Sequence, residues 1–487
     1  MTSLRRLVLL FTLLLTALAA TAGAQNSTPV AAPSPAAPAE LPVSSTPPAP
    51  INNPLNKGRG PTFDDAHGVV RNGKVYLFAC HDFSPENRNY LLKDWWVWSS
   101  SDLIDWKLES VLRPETTFIG KPFNDCWATF GVERGGKWYW YFAAGPQQIG
   151  VVTADSPAGP WKDPLGAPLI PQGMYPTAAR DPDIFIDDDG KAYMIFGAFR
   201  YFIVRLNDDM ISVGEKAHPV LINHARGPYG EGKTDDKPSL HKRNGLYYLS
   251  WSSFYAVASN VYGPYEYKGS VIDAEHVAPE FLRKRERLFI DRHGNFFQYN
   301  NQWYYVFNDQ SQPGRSGFYR DSIMTYVHYK DNGEIAPVRI DSLGVGQYDA
   351  TRPQIEAEDY FKAVKAEQRE CSAGGFEVRG LASGSELYYP NIHNVPPDAR
   401  MTISVASADP KGGLIEVREG RPDGKLLGSI PVPKTGGWDK FQCAVCPLNN
   451  AAGDVSLCLV FKGSEQEFCR LDWLAFAPSK EGVNKQK

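Results

Sequence analysis

The chain has no excess of positive charge. With 51 Lys and Arg against 55 Asp and Glu, and a formal net charge of −4, it lacks the clustered cations that phosphate recognition needs, and nucleic acid is not an expected partner. Histidines are few, nine in all, and none forms an H-x-x-x-H pair. Cys443 and Cys446 have CxxC spacing, but no second CxxC or His pair completes a zinc set. The nucleophile elbow G-x-S-x-G and a G-x-G-x-x-G after a strand are both missing. Seven cysteines are an odd number, so at least one thiol is left over, and their connectivity cannot be read from spacing.

A membrane span is lacking as well. The N-terminal apolar run "LVLLFTLLLTALAA" is shorter than the roughly 20 residues a spanning helix needs. Arg5 and Arg6 precede it and "TAGA" follows before Gln25, the three parts of an export signal. Residues 1–24 are therefore expected to be a signal peptide, the mature chain secreted or periplasmic and free of the membrane. Residues 25–52, rich in Pro, Ala and Ser, have too few large apolar side chains to fold and read as a linker.

What the chain has in quantity is aromatic residues: 12 Trp, 24 Tyr and 25 Phe. Most serve cores, but flat rings with polar edges also suit the C–H faces of sugars. Many fall in an internal repeat: "RNGKVYLFACHD", "RGGKWYWYFAAG", "DDGKAYMIFGAF", "RNGLYYLSWSSF" and "YNNQWYYVFNDQ" each set a tight-turn pair before an aromatic, β-branched strand. From Gly73 through Gly136, Gly190 and Gly245 to Asn301 the intervals are about 63, 54, 55 and 56 residues, the size of a four-stranded blade with loops. The expected fold is all-β: a five-bladed β-propeller over 53–345, followed by a β-sandwich, jelly-roll-like, over 353–480.

Polar residues just before each repeated hairpin gather at one end of a propeller axis. Asp65, Asp181 and the pair Asp235–Asp236 stand there in the first, third and fourth repeats. Carboxylates converging from separate blades suit glycoside hydrolysis, which needs one acid and one base. Asp187, Asp188 and Asp189 lead into Gly190 and read as a turn, without the D-x-D-x-D-G spacing of a calcium loop.

"NPLNKGRGPTFDDAHGVVRNGKVYLFACHD", "DCWATFGVERGGKWYWYF", "ARDPDIFIDDDGKAYMIFG" and "RDSIMTYVHYKDNGEI" resemble the blades of glycoside hydrolase family 43, mostly inverting α-L-arabinofuranosidases and β-xylosidases. The resemblance implies Asp65 as general base, Asp181 as the residue that tunes and orients the acid, Arg320 and Trp127 as substrate-pocket residues, and His81 in a substrate-pocket or hydrogen-bonding role. It also implies that His293 lies near the axis, where it helps to hold a calcium or a water cluster. The family usually carries Glu where this chain reads Asp236, Lys237, Pro238. Asp236 is one methylene shorter, a withdrawal of about 1 to 1.5 Å, and such a misplacement costs on the order of 100-fold in rate. Lys237 would lower the Asp236 pKa unless it points away or binds an anionic sugar. Three readings stay open: Asp236 is the acid, Asp235 or Glu231 reaches in, or the propeller binds glycans without cutting them. His67, which follows Asp65 by two residues, is expected to be a buried structural histidine.

From "IEAEDY" through "ISVASADPKGGLIEVR", "IPVPKTGGWDKF" and "LVFKG" to "LDWLAF" the chain resembles a family 6 carbohydrate-binding module. That resemblance implies a structural calcium held by Glu356, Glu358 and Asp472, and a sugar-stacking Trp438. The ring's customary Tyr partner falls near Gly380, and Arg470 replaces the expected Asn, which makes a propeller-docking role the alternative to glycan binding. No cofactor is expected for catalysis. The expected partner is a plant-type polysaccharide or oligosaccharide.

Overall fold

The computed structural model describes residues 50–57, 62–84, 86–283, 288–313 and 316–479. The expected signal peptide and nearly all of the linker lie outside the described residues.

Tight turns come first. Asn72–Gly73, Gly135–Gly136, Asn244–Gly245 and Asn300–Asn301 each place two successive residues at positive φ, the backbone that matches the twist of a two-residue hairpin. In the third repeat Gly190 alone has positive φ, at 81°. Each turn joins the innermost strand of a sheet to its neighbour: Asp64–Arg71 to Lys74–Asp82, Cys126–Arg134 to Lys137–Ala144, Asp183–Ile186 to Ala192–Phe196, Ser239–Arg243 to Leu246–Trp251, and Gly294–Tyr299 to Gln302–Asp309. The five inner strands contact one another in order, and the last returns to the first. That closed circuit is the five-bladed propeller.

Blades pack through aromatic rings set against glycine. A Cβ on Gly131 would lie 2.2 Å from the Phe78 ring of the first blade, and one on Gly68 would lie 2.5 Å from Phe297 of the fifth. The inner strands approach one another only because these side chains are absent. The ring is also sealed by backbone: Asn52 and Asn53 donate to the Ser342 carbonyl, Leu55 donates to that of Ser322, and the Asn53 amide donates to the carbonyls of Met324 and Asp341.

The remainder is a β-sandwich. One sheet is built on Glu386–Val395, Gly453–Lys462, Leu414–Glu419 and Leu426–Pro431; the other on Phe376–Leu381, Cys469–Pro478, Ala399–Ser407 and Gly437–Pro447. Alternate residues such as Ile403, Val405, Ile415, Val417, Leu459 and Phe461 fill the space between them. All seven cysteines are free thiols.

Sandwich and propeller are joined by hydrogen bonds and one buried charge. Gln302 donates to the carbonyls of Glu358 and Tyr360, and Tyr360 donates to that of Asn301. Asp359, 5% exposed, pairs with Arg339 at 2.7 Å and His328 at 2.9 Å, both from the chain leaving the fifth blade. Burial would raise the Asp359 carboxyl, but Arg339 and His328 bring it down to about 2. Asp359 therefore contributes stability in full above its unfolded value of about 3.9, and loses that contribution as pH falls through about 2.

Replacing Asp359 by Asn should lower unfolding stability by about 2–3 kcal/mol in urea at pH 7, less than a fully buried pair because Arg339 is 37% exposed. The deficit should shrink below pH 4. A deficit independent of pH would show that the carboxylate charge contributes nothing.

Candidate active site

Three residues step through the left-handed region two positions before their inner strands run on: Asp65 (φ 51°), Asp181 (φ 57°) and Lys237 (φ 51°). Such backbone is uncommon outside glycine, and bulky residues hold it only where the surroundings impose it. The step corrects the sequence alignment of the repeats. The position equivalent to Asp65 and Asp181 in the fourth blade belongs to Lys237, and Asp236 stands one residue before it.

Asp65 is 6% exposed and its Oδ1 is crowded with donors. His293 Nε2 lies 2.6 Å away, Asn308 Nδ2 2.7 Å and Arg320 Nη1 3.1 Å. Lys237 Nζ donates to the Asp65 carbonyl at 2.5 Å and stands 3.8 Å from Oδ1. On the other oxygen, the Cys80 thiol donates to Oδ2 at 3.8 Å. Burial alone would raise this carboxyl, but Arg320, Lys237 and His293 together hold it well below the ordinary range. Lys237 thus points away from Asp236 and toward the first blade.

Asp236 sits in the opposite regime. Its side chain is 34% exposed toward a cavity of ≈ 180 Å³ that Asp65, Asp181, Lys237, His293 and Trp127 also line. Burial first, and then the Asp181 carboxylate, push it up to about 6 against the pull of His293 and Arg180. Arg180 Nη2 donates to Asp236 Oδ2 at 3.3 Å, and its Nε lies 3.4 Å from Asp181 Oδ2. Asp181 Oδ2 also accepts the Lys237 backbone N–H at 3.2 Å, which fixes the turn that carries Asp236. Burial raises the Asp181 pKa too.

His293 joins the two regimes. Nε2 faces Asp65 and Nδ1 lies 3.4 Å from Asp236, with Asp291 3.3 Å from Nε2. Burial opposes its charge, but the carboxylates of Asp65, Asp291 and Asp236 raise it to about 9, so the ring is a cation at neutral pH. A metal held there would have to displace its proton. Asp65, Asp291 and His293 do have ligand atoms within 4.8 Å of one another.

Other expected site residues land differently. Arg320 lines the cavity, but its guanidinium is taken up by Asp64, Asp65, Asp82 and Asp291, so its charge serves carboxylates instead of a sugar. His81 is not part of the cavity. Strand alternation sends Asp82 to the axis and His81 to the other face, where it pairs with Asp94 at 3.1 Å and stacks on Trp96 at 3.9 Å. Trp127 does line the cavity, with the Arg180 guanidinium 5.4 Å from its ring. Asp235 is 3% exposed and turned into the protein, accepting the Asp236 N–H and the Ser252 hydroxyl. Glu231 is exposed on a short strand, Gly230–Glu231. His67 is buried completely, 3.5 Å from Asp183 and edge-on to Phe130.

Sequence reasoning missed Asp291, Asn308, Arg180 and Cys80. Asp291 had a signal, since it precedes His293 by two residues; Asn308 and Cys80 had none beyond lying at the ends of repeated strands.

In the sandwich, Glu356, Glu358 and Asp472 line one cavity of ≈ 660 Å³. Burial and then the neighbouring carboxylates of Asp359 and Glu356 push Glu358 well up, and its Oε2 is buried without a hydrogen-bond partner. Hard oxygens crowding one another suit calcium in kind. They are not among the sets of described residues whose ligand atoms converge within 4.8 Å. Trp438 has the Arg470 guanidinium 4.9 Å from its ring, and Arg470 is itself tied to Glu467 and Glu377. One face of the expected stacking ring is thus occupied.

Residues 51–335 match the family model for glycosyl hydrolases family 43, and residues 356–478 match that for carbohydrate binding module family 6. The chain belongs to glycosyl hydrolases family 43. This family 43 member is a glycosidase, hydrolysing O-glycosyl bonds. It is 29% identical over 506 residues to an arabinoxylan arabinofuranohydrolase of Paenibacillus polymyxa, covering 88% of this chain and 76% of that one. A protein of the same name from Bacillus subtilis (strain 168) is 27% identical over 478 residues, covering 82% and 87%. A solved Bacillus subtilis family 43 arabinoxylan arabinofuranohydrolase, in complex with cellotetraose, superposes with a TM-score of 0.51 at 24% identity, covering 88% of this chain and 98% of that one.

Lys237→Met removes one of the cations around Asp65. The Asp65 carboxyl should then titrate at a higher pH, followed by carboxyl ¹³C NMR. An unmoved titration would show that Arg320 and His293 suffice.

Proposed function

We propose that this chain is an exported, inverting glycosidase of the α-L-arabinofuranosidase or β-xylosidase kind that removes sugars from plant polysaccharide side chains. One observation carries the mechanistic reading: Asp65 and Asp236 flank a single imidazole while their surroundings drive their proton affinities apart. Such a split divides acid from base work. The Asp65 and Asp236 oxygens facing His293 lie 2.6 Å from Nε2 and 3.4 Å from Nδ1, two carboxyls set on either side of one ring, as an acid and a base acting across a glycosidic bond require. The names of the relatives support the substrate class.

In this reading ionised Asp65 takes a proton from water as the water oxygen bonds to the anomeric carbon. Asp236 gives its proton to the glycosidic oxygen as the old C–O bond breaks. Asp181 raises the proton affinity of Asp236 and holds its turn through the Lys237 N–H. Trp127 walls the sugar pocket. Asp236 stands one residue before the left-handed step, braced by Arg180.

Asp65→Asn and Asp236→Asn should each lower kcat on arabinoxylan by at least about 100-fold, with wild-type product of inverted configuration by ¹H NMR. Because the acid must be protonated, wild-type kcat/KM should fall as pH rises through about 6. Retained configuration, or full activity in Asp236→Asn, would overturn the assignment.

A calcium ion is proposed at Glu356, Glu358 and Asp472, where it would supply only charge neutralisation within the sandwich. Removing it with EDTA should lower Tm by several degrees, with recovery on adding calcium. An unchanged Tm, together with an unchanged Tm for Glu358→Gln, would remove the ion from the account.

A further inference from the structure

Two exposed aromatic rings stand outside the cavity, Tyr229 on the segment that leads into Asp236 and Phe199 on a loop hydrogen-bonded to the residues before Asp181 and Asp236. Phe199 is 53% exposed and Tyr229 47%; their ring centroids are 5.8 Å apart with planes inclined at 57°. Neither lines the axial cavity.

Their placement is built in. Phe199 lies in the short loop between Ala192–Phe196 and Phe202–Arg205 of the third blade. That loop is fastened at both sides of the site: Gly197 N–H donates to the Arg180 carbonyl at 2.9 Å, and Phe199 N–H to the Asp235 carbonyl at 2.9 Å. The residues accepting these bonds immediately precede Asp181 and Asp236. Thr234 closes the loop from the other strand, its hydroxyl donating to the Phe199 carbonyl at 3.0 Å. The loop tolerates little alternative. A Cβ on Gly197 would meet the Arg200 carbonyl oxygen at 2.4 Å. Phe199 itself takes φ 59°, a conformation a bulky residue adopts only when its neighbours hold it there. Tyr229 sits at the tip of the hairpin Arg226–Gly227 and Gly230–Glu231, whose chain runs on through Thr234 to Asp236.

An apolar ring held in strained backbone, exposed, and fastened beside the acid has no part in the core. The bond being cut has two sides: the sugar in the cavity, and the leaving unit attached through the oxygen that Asp236 protonates. We propose that Phe199 and Tyr229 form an angled aromatic corner that stacks on the departing sugar unit, making a glycan chain, and not a small alcohol, the preferred leaving group. Rings of this kind present flat apolar faces to sugar C–H groups, and binding energy gained on a remote unit is available to the reacting centre. The inference rests on Asp236 as the acid.

The test compares arabinoxylan with the methyl glycoside of the released sugar, which needs the same proton but offers no ring to stack on. In Phe199→Ala and Tyr229→Ala, kcat/KM on arabinoxylan should fall about 10-fold while the methyl glycoside stays within about twofold. Inhibition by an unsubstituted xylo-oligosaccharide should weaken in parallel, and Phe199→Tyr should restore all of these. An equal fall on both substrates would make the loop a support for the acid and overturn the proposal, as would no change on either or a loss that Tyr does not rescue. A wild type that cleaves neither substrate would instead defeat the proposed substrate class on which the inference rests.

Discussion

A buried carboxylate held by cations from other blades is the constraint on which this molecule depends. Asp65 belongs to the first blade, Lys237 to the fourth, and His293, Asn308 and Arg320 to the fifth. Desolvating such a charge is costly unless it is paired and hydrogen-bonded, and here the partners exist only when the ring of blades is complete. Arg320 repeats the arrangement one layer down, where Asp64 and Asp82 share its guanidinium. The same contacts that close the propeller lower the proton affinity of the residue assigned as base, so folding and chemistry draw on one set of interactions.

Against that fixed anion, the fourth blade supplies a carboxyl that binds its proton more tightly. The difference lies in neighbours. Asp65 meets an ammonium, a guanidinium and an imidazolium; Asp236 is buried beside another carboxylate, with the His293 imidazolium and Arg180 in partial opposition. Shifting Lys237 from beside Asp236 to the axis removes what would otherwise have weakened the acid. The left-handed backbone at 237 sends the lysine amine to the first blade, away from its neighbour Asp236.

Much of the fold was legible because its signals are local. Asn-Gly, Gly-Gly, Asp-Gly and Asn-Asn pairs favour tight hairpins from local backbone preference, and five such pairs at blade length mark both the number of blades and the inner strand of each. The site was legible only in part. Asp65, Asp181, Asp236, Trp127 and His293 do meet at one cavity, but the sequence offered no means of knowing that Lys237 and not Asp236 occupies the repeat-equivalent step, since positive φ in a non-glycine residue is imposed by tertiary contacts. His81 takes the hydrogen-bonding one of its two expected roles, paired with Asp94 outside the cavity. Strand alternation was available, but which of His81 and Asp82 faces the axis is decided by Arg320, 238 residues beyond Asp82 in the chain. Arg180 and Asn308 likewise act through partners that spacing does not reveal.

The seam between the first and fifth blades joins Asn52, Asn53 and Leu55 to Ser342 and Ser322 by backbone hydrogen bonds, and lies beside the charge cluster that activates Asp65. A small parting there would let water reach Arg320 and His293, and the carboxylate would revert toward its behaviour in solution while every sheet kept its strands. Activity would therefore gauge ring closure more sensitively than the content of β-structure, which such a parting leaves unchanged.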